Sequence, residues 1–200
     1  MKGLLLKDYY MIRSAILILL LVFVVAGICL SYLVNSWIFI VISTVMLGMN
    51  VASTIIMDKT SGWIKSIAIT SVSKTTLIDS KYVMYFLLSI LGLVLGYVVG
   101  MIHNVMIGGD TKMIGLFICI SISMALISGS VIIPSYFLLD ETKSVIGTIL
   151  AYPISASIIA GIIYLLGNTM PVYIFIFFIA FTLFIISRYV LDKRMSTKDI

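Results

Sequence analysis

Between Asp58 and Lys81 the chain reads DKTSGWIKSIAITSVSKTTLIDSK. The stretch separates two long apolar runs and carries Lys59, Lys65, Lys74 and Lys81 together with Asp58 and Asp79. That density of charge keeps it out of hydrocarbon, where one charged residue at the bilayer centre costs about 2.5–3.5 kcal/mol on insertion scales. It is nevertheless patterned. After Gly62, the apolar residues Trp63, Ile64 and Ile67 recur at i, i+1 and i+4 with Ala68 beside them, which predicts a short helix with one apolar face. Thr70-Ser71 interrupts that helix. Ser73 is then suited to cap a second helix running through Leu77, Ile78 and Lys81 into the next apolar run. The expected shape is an elbow: a helix on the membrane surface, a bend, and a rise back into the bilayer.

Working outward, six apolar runs flank this stretch: Ser14–Val34, Trp37–Met57, Tyr82–Ile102, Met113–Leu139, Ser144–Gly167 and Met170–Ser187. A run such as Ser14–Val34 rises about 31 Å as a helix, matching a hydrocarbon core of about 30 Å. Met113–Leu139 is longer and must tilt or kink, and Pro134 supplies a place to do so. The chain is 62% hydrophobic and 10% charged, with a mean hydropathy of +1.25, whereas soluble domains are about 25% charged. The expectation is an all-α membrane protein, one transmembrane domain over residues 1–200 with six spans. Met1–Arg13 mixes charged and apolar residues and is expected to form a short N-terminal interfacial helix, with Tyr9 and Tyr10 at headgroup level. The run after it is too long for a signal-peptide core and lacks a cleavage site, so it reads as an uncleaved span.

Of the thirteen Lys and Arg, all but Lys112 fall in segments 1–13, 58–81, 140–143 and 188–200. This asymmetry places those segments and both termini in the cytoplasm. The net charge of +5 therefore reflects topology and does not point to nucleic acid. Trp37 and Tyr173 are expected at the outer interface, and Tyr82, Tyr136 and Tyr189 at the inner one. In the third span, Gly92, Gly96 and Gly100 share one helix face, where a neighbouring backbone can approach closely. That face serves either packing within one subunit or, alternatively, an interface between subunits or the wall of a conduit. Ser121, Ala125 and Ser128 repeat the small-residue spacing in the fourth span.

None of the six runs contains Asp, Glu, Lys, Arg or His, so proton-relay carriers, ion pumps and most intramembrane hydrolases lack their usual residues. Cys29 and Cys119 sit deep in apolar runs without a ligand partner and read as small buried residues. His103 reads as an exposed interfacial residue, and Asp110 and Lys112 as solvated loop charges. No metal-binding or nucleophile motif and no phosphate-binding glycine loop is present. The chain has no visible means of hydrolysing ATP.

The residues Asp58, Lys59, Ser61, Gly62 and Trp63, followed by Val72, Ser73 and Lys74 and then Ser80, Lys81 and Tyr82, resemble the loop after the second span of small ATP-binding-cassette type-2 permeases. Pro134, Tyr136, Phe137, Glu141 and Lys143 resemble that family's loop after the fourth span. Two positions depart from the pattern: Ser71 stands where a proline is frequent, and Asp140 where a glycine is frequent. The resemblance implies that 58–81 holds a coupling helix docking on a separate cytoplasmic ATPase. Asp58, Lys59, Gly62, Trp63, Lys65, Glu141 and Lys143 would carry the coupling. It further implies a second permease subunit, identical or not, in a bacterial plasma membrane. ATP and Mg²⁺ would be bound by the partner, this chain needing no cofactor of its own. The pathway would suit a hydrophobic or amphipathic cargo, a peptide or toxin or a drug, and the family implies export. The alternative is an ATPase-independent facilitator, or an immunity or structural membrane protein, in which Gly62 and Trp63 would be incidental. A membrane enzyme lacks candidate catalytic residues.

Overall fold

A computed structural model describes residues 1–30, 37–64, 73–107 and 113–197, side chains excepted at 26–30, 107, 141 and 197. Six long helices make up most of them: α1 Lys2–Leu30, α2 Ile38–Thr60, α3 Lys74–Ile107, α4 Ile114–Leu138, α5 Glu141–Leu166 and α6 Met170–Thr197. All six are long and apolar enough to cross a membrane, and no strand occurs among the described residues. The chain is an all-α membrane protein. Helices are the economical way to span lipid because every backbone bond closes within the segment.

The most buried spans are α2 and α4, with α3 beside them and α1, α5 and α6 at the periphery. Residues on α1, α5 and α6 such as Leu17, Leu21, Ile149 and Phe178 are exposed on the outside of the bundle. α2 and α3 run antiparallel and form the most extensive helix pair. Their approach is set by the glycine face of α3, where Gly92 and Gly96 are buried. A Cβ at Gly92 would lie 2.8 Å from Thr44 Cα, and one at Gly96 would lie 2.5 Å from Ile40 Cα. The Ser43 hydroxyl crosses this contact to donate to the Gly92 carbonyl at 2.7 Å. Gly100, next along the face, is also buried. At Gly92 and Gly96 the face serves packing inside one subunit.

Hydroxyls join the other helices. Ser121 on α4 donates to Thr44 Oγ1 on α2 at 2.6 Å, and Tyr85 on α3 donates to the Ala125 carbonyl on α4 at 2.7 Å. Pro134 lies inside α4. A proline has no N–H to offer the carbonyl four residues earlier, which here belongs to Ser130. The Ser187 hydroxyl of α6 donates to that carbonyl at 2.6 Å and lies 2.9 Å from Tyr82 Oη on α3. The backbone defect is thereby filled by a neighbouring helix, which lipid could not do.

Several details differ from expectation. There is no separate interfacial helix at the N-terminus: α1 runs unbroken from Lys2 to Leu30. The stretch holds no proline, Gly3 is its only glycine before Gly27, and Ile12 and Ile16 pack into the core. Likewise α6 passes ten residues beyond Ser187, because Leu191 and Met195 are buried against the same core. Trp37, Tyr173, Tyr82 and Tyr136 are buried in protein, whereas Tyr9, Tyr10 and Tyr189, also expected at the interfaces, are exposed. His103 and Cys119 are half-buried. The Cys29 side chain, Asp110 and Lys112 lie outside the described residues.

Leucine at position 96 would drive its side chain into Phe39 and Ile40 of the same subunit. Gly96→Leu should lower the thermal midpoint of the detergent-solubilised protein, at an overpacking cost of at least about 1–3 kcal/mol. Val98→Leu, on an exposed position of the same helix, should leave it unchanged. Equal midpoints for the two variants would show that the α2 and α3 backbones are not in contact there.

Candidate functional site

The charged ends of α1, α2 and α3 meet. α2 ends in a cap formed by its own sequence: Gly62 takes φ +71°, and its N–H bonds to the Lys59 carbonyl at 3.1 Å. A side chain there would be strained, whereas glycine is not. Nothing lies within 4 Å of where its Cβ would be, so backbone conformation alone accounts for the glycine. Trp63 and Ile64 resume helical geometry. The remainder of the expected surface helix, with Lys65, lies outside the described residues. α3 begins at Lys74, and Ser73 Oγ accepts the Thr76 N–H at 3.1 Å as its cap.

These caps place four charged side chains together. Lys81 of α3 is 1% exposed and Asp8 of α1 is 1% exposed. The Lys81 ammonium donates to both oxygens of Asp8, at 2.8 and 2.9 Å, and to Thr54 Oγ1 at 3.1 Å. It also lies 2.7 Å from Asp58 Oδ2 of α2. Its hydrogen bonds thus go to Asp8 and Thr54, while Asp58 Oδ2 is held by the ion pair rather than by a hydrogen bond. Thr54 is held for this by donating its own hydroxyl to the Val51 carbonyl at 2.8 Å. Asp58 also pairs with Lys7, whose ammonium is 3.7 Å from Asp8. Two cations and two anions therefore share one site. Balance matters here, because a buried ion without a partner is penalised by several kcal/mol. Asp58 also sits in the last turn of α2, near the negative end of the helix dipole, where a carboxylate is unfavourable unless cations surround it.

Trp63 forms the rim. Its indole lies under the Lys7 ammonium, 4.9 Å from ring centroid to nitrogen, in a cation–π contact. An open cleft of about 590 Å³ adjoins it, bordered by Met1, Leu4, Lys7, Trp63 and Thr76. On the other side, Lys59 donates to the Leu139 carbonyl at 3.0 Å. Leu139 ends α4 and Asp140 precedes α5 with φ −67° and ψ 161°, a conformation that requires no glycine. The Ser144 hydroxyl ties this turn: it lies 2.8 Å from the Asp140 carbonyl, its nearest acceptor, and within 3.3 Å of the Ser135 and Leu139 carbonyls. The end of α2 and the turn after α4 are therefore adjacent. Lys143 is exposed and Glu141 starts α5, its side chain lying outside the described set.

Of the residues singled out from sequence, Asp58, Lys59, Gly62 and Trp63 converge on this junction. Gly92, Gly96 and Gly100 lie elsewhere, along the α2–α3 contact. Asp8, Lys7, Lys81 and Thr54 were not anticipated as a group. The available signal was the charged pair Lys7-Asp8 inside an otherwise apolar run, together with opposite charges at facing ends of adjacent helices. A second pair, Arg188 with Asp79, joins α6 to α3 through Nε–Oδ1 at 2.6 Å and Nη2–Oδ2 at 2.9 Å. No cluster of His, Cys, Asp or Glu able to hold a metal occurs among the described residues.

Removing Lys81 alone leaves two carboxylates facing one lysine. Lys81→Met should destabilise the protein by about 3–5 kcal/mol. The triple variant Asp8→Asn, Asp58→Asn, Lys81→Met should regain a large part of that loss. Thermal unfolding in detergent reads both, and a single variant as stable as the parent would show that the cluster is not buried.

Residues 3–187 match a family model described as ABC-2 family transporter protein. No curated protein and no solved structure matches the chain.

Proposed function

The chain belongs to the ABC-2 transporter family, and from that premise we propose that it is the permease subunit of an ATP-driven exporter, coupled to a separate cytoplasmic ATPase through residues 58–81. The observation that carries the coupling is the Asp8–Lys81–Asp58–Lys7 cluster with Trp63 on its outer face. A force on Trp63 would pass to Lys7, and from there to the buried charges that tie α1, α2 and α3. The adjacent cleft of about 590 Å³ offers room for a partner's side chains. The neighbouring α4–α5 turn, joined through Lys59, would form the second part of the docking surface with Glu141 and Lys143. ATP and Mg²⁺ would be held by the ATPase. Two permease subunits, identical or different, would enclose the pathway in a bacterial plasma membrane. Away from the charge cluster, an apolar interior with scattered hydroxyls suits a hydrophobic or amphipathic cargo such as a peptide, toxin or drug.

In this reading both termini and 58–81 face the cytoplasm, as the basic residues require. A single cysteine introduced as Lys65→Cys should resist an impermeant thiol reagent in sealed cells and react after permeabilisation. Labelling from outside would reverse the topology.

The docking role is tested by recovering the ATPase on affinity-tagged permease at equal membrane expression. A central interface tryptophan contributes roughly 2 kcal/mol, so Trp63→Ala should weaken ATPase binding about thirtyfold while all six helices still insert. Equal recovery with Trp63→Ala, Lys59→Ala and Lys65→Ala would remove 58–81 from the coupling surface and favour an ATPase-independent facilitator or immunity protein.

A further inference from the structure

Away from the charge cluster, an apolar cavity of about 200 Å³ lies among α2, α3, α4 and α6. Phe86 and Ile90 of α3, Ile122 and Leu126 of α4, and Phe177 and Phe181 of α6 form most of its wall. Phe86, Ile90 and Phe181 are also exposed on the outside of the bundle, so the mouth of the cavity lies between α3 and α6. An apolar cavity of about 150 Å³ in a protein stays dry and accepts a hydrocarbon guest. This one opens on a surface that faces lipid.

The seam between α3 and α6 changes character along its length. Nearer the charged end it is closed by Tyr82, whose ring packs edge-on against Phe184 at 5.0 Å and whose hydroxyl meets Ser187. One turn further on stands Arg188. Its bond to Asp79 uses two N–H donors of the five a guanidinium carries, and the side chain is 44% exposed. From Arg188 back to Phe181 is about 10 Å along the helix, and to Phe177 about 16 Å. One leaflet of hydrocarbon is about 15 Å deep. The seam therefore offers a guanidinium at headgroup depth and an apolar hole at acyl-chain depth, in line.

We infer that this seam is a phospholipid site: one acyl chain of a bilayer phospholipid fills the α3–α6 cavity, and its phosphate is received by Arg188. Hydrogen bonding selects the phosphate end: Asp79 balances the charge of Arg188 through Nε and Nη2, with Asp192 also near, and the remaining N–H donors of the guanidinium match phosphate oxygens. The bilayer supplies the occupant at a concentration no other ligand reaches. A side chain from a second copy would fill the hole but would leave the alignment with Arg188 without purpose. The inference needs only the membrane setting and does not depend on ATPase coupling.

The full-length protein is reconstituted in phosphatidylethanolamine–phosphatidylglycerol vesicles carrying a trace of phospholipid with a diazirine at mid-chain. After irradiation, adducts are mapped by mass spectrometry. Adducts should concentrate on residues 83–93 and 177–184, well above 145–150 of α5, where Val145, Ile146, Ile149 and Leu150 are at least as exposed. Ile122→Trp fills the cavity from its inner wall and should lower the α3 and α6 adducts roughly tenfold, with those on α5 unchanged. Arg188→Gln should lower them as well, and no change there would overturn the phosphate contact. Equal labelling of the three segments in the unaltered protein would overturn the site, whatever the variants do. So would undiminished labelling in an Ile122→Trp protein that elutes as the parent does.

Discussion

A lysine ammonium held between two carboxylates at the end of a membrane bundle constrains everything near it. Lys81 and Asp8 are each 1% exposed, so neither has water to fall back on. The attraction between them is strong in a poorly polarisable setting, but so is the penalty of separating them. Three helices are consequently fixed at one relative depth, because sliding any of them by a turn would leave an ion alone. Such a junction has few intermediate arrangements: it is either closed or rebuilt. An element with discrete arrangements is what a mechanical coupling needs, since packed structure amplifies a small displacement only when it can switch and not merely stretch.

Beyond that junction the bundle is held by a different chemistry. Lipid tails supply no hydrophobic drive between helices, so close backbone approach and interhelical hydroxyl bonds take its place. The α2–α3 contact uses glycine and Ser43, α2–α4 uses Thr44 and Ser121, and α4–α6 uses the carbonyl released by Pro134 and the hydroxyl of Ser187. These bonds gather α2, α3 and α4 into the most buried part of the bundle. α1 is held differently. Its contacts with the core are Leu5, Ile12, Ile16 and Leu20 and its ion pairs, while Leu17, Ile18 and Leu21 remain exposed.

The number of spans, their membrane character and the helix start after Ser73 were legible because hydropathy and capping are local properties of the chain. The cap at Ser73 is read from two or three neighbours. The charge cluster was not, because Asp8, Asp58 and Lys81 are far apart in sequence and each looks like an ordinary flanking charge. Burial of a charge is decided by what it meets, and that is a tertiary fact. The interfacial helix expected before Arg13 failed on a related point. Charged residues in an apolar segment were read as marking a surface, yet Asp8 faces inward toward Lys81, and its helix simply continues. Aromatic residues misled similarly: a tyrosine or tryptophan at a span end reads as a headgroup anchor, but Tyr82 and Trp37 are buried by protein instead.

The energetics of Trp63 bear on how docking could engage such a rigid junction. Its contact with Lys7 is partly exposed, and cation–π pairs of that kind contribute about 0.5–1 kcal/mol. A tryptophan buried at the centre of a protein interface contributes roughly 2 kcal/mol or more. On the proposed docking, exchanging the first contact for the second is downhill. It also leaves the Lys7–Asp58 pair intact, since the ammonium is bound to the carboxylate independently of the ring. Lys7 is the least buried of the four charges, at 26% exposure against 1–3% for the others. It can follow the tryptophan over a short distance without stranding Asp58, while Lys81 cannot move without stranding both aspartates. The four charges thus divide into an outer, yielding contact and an inner, unyielding one, and on the proposed docking a load applied at Trp63 would pass from the first to the second.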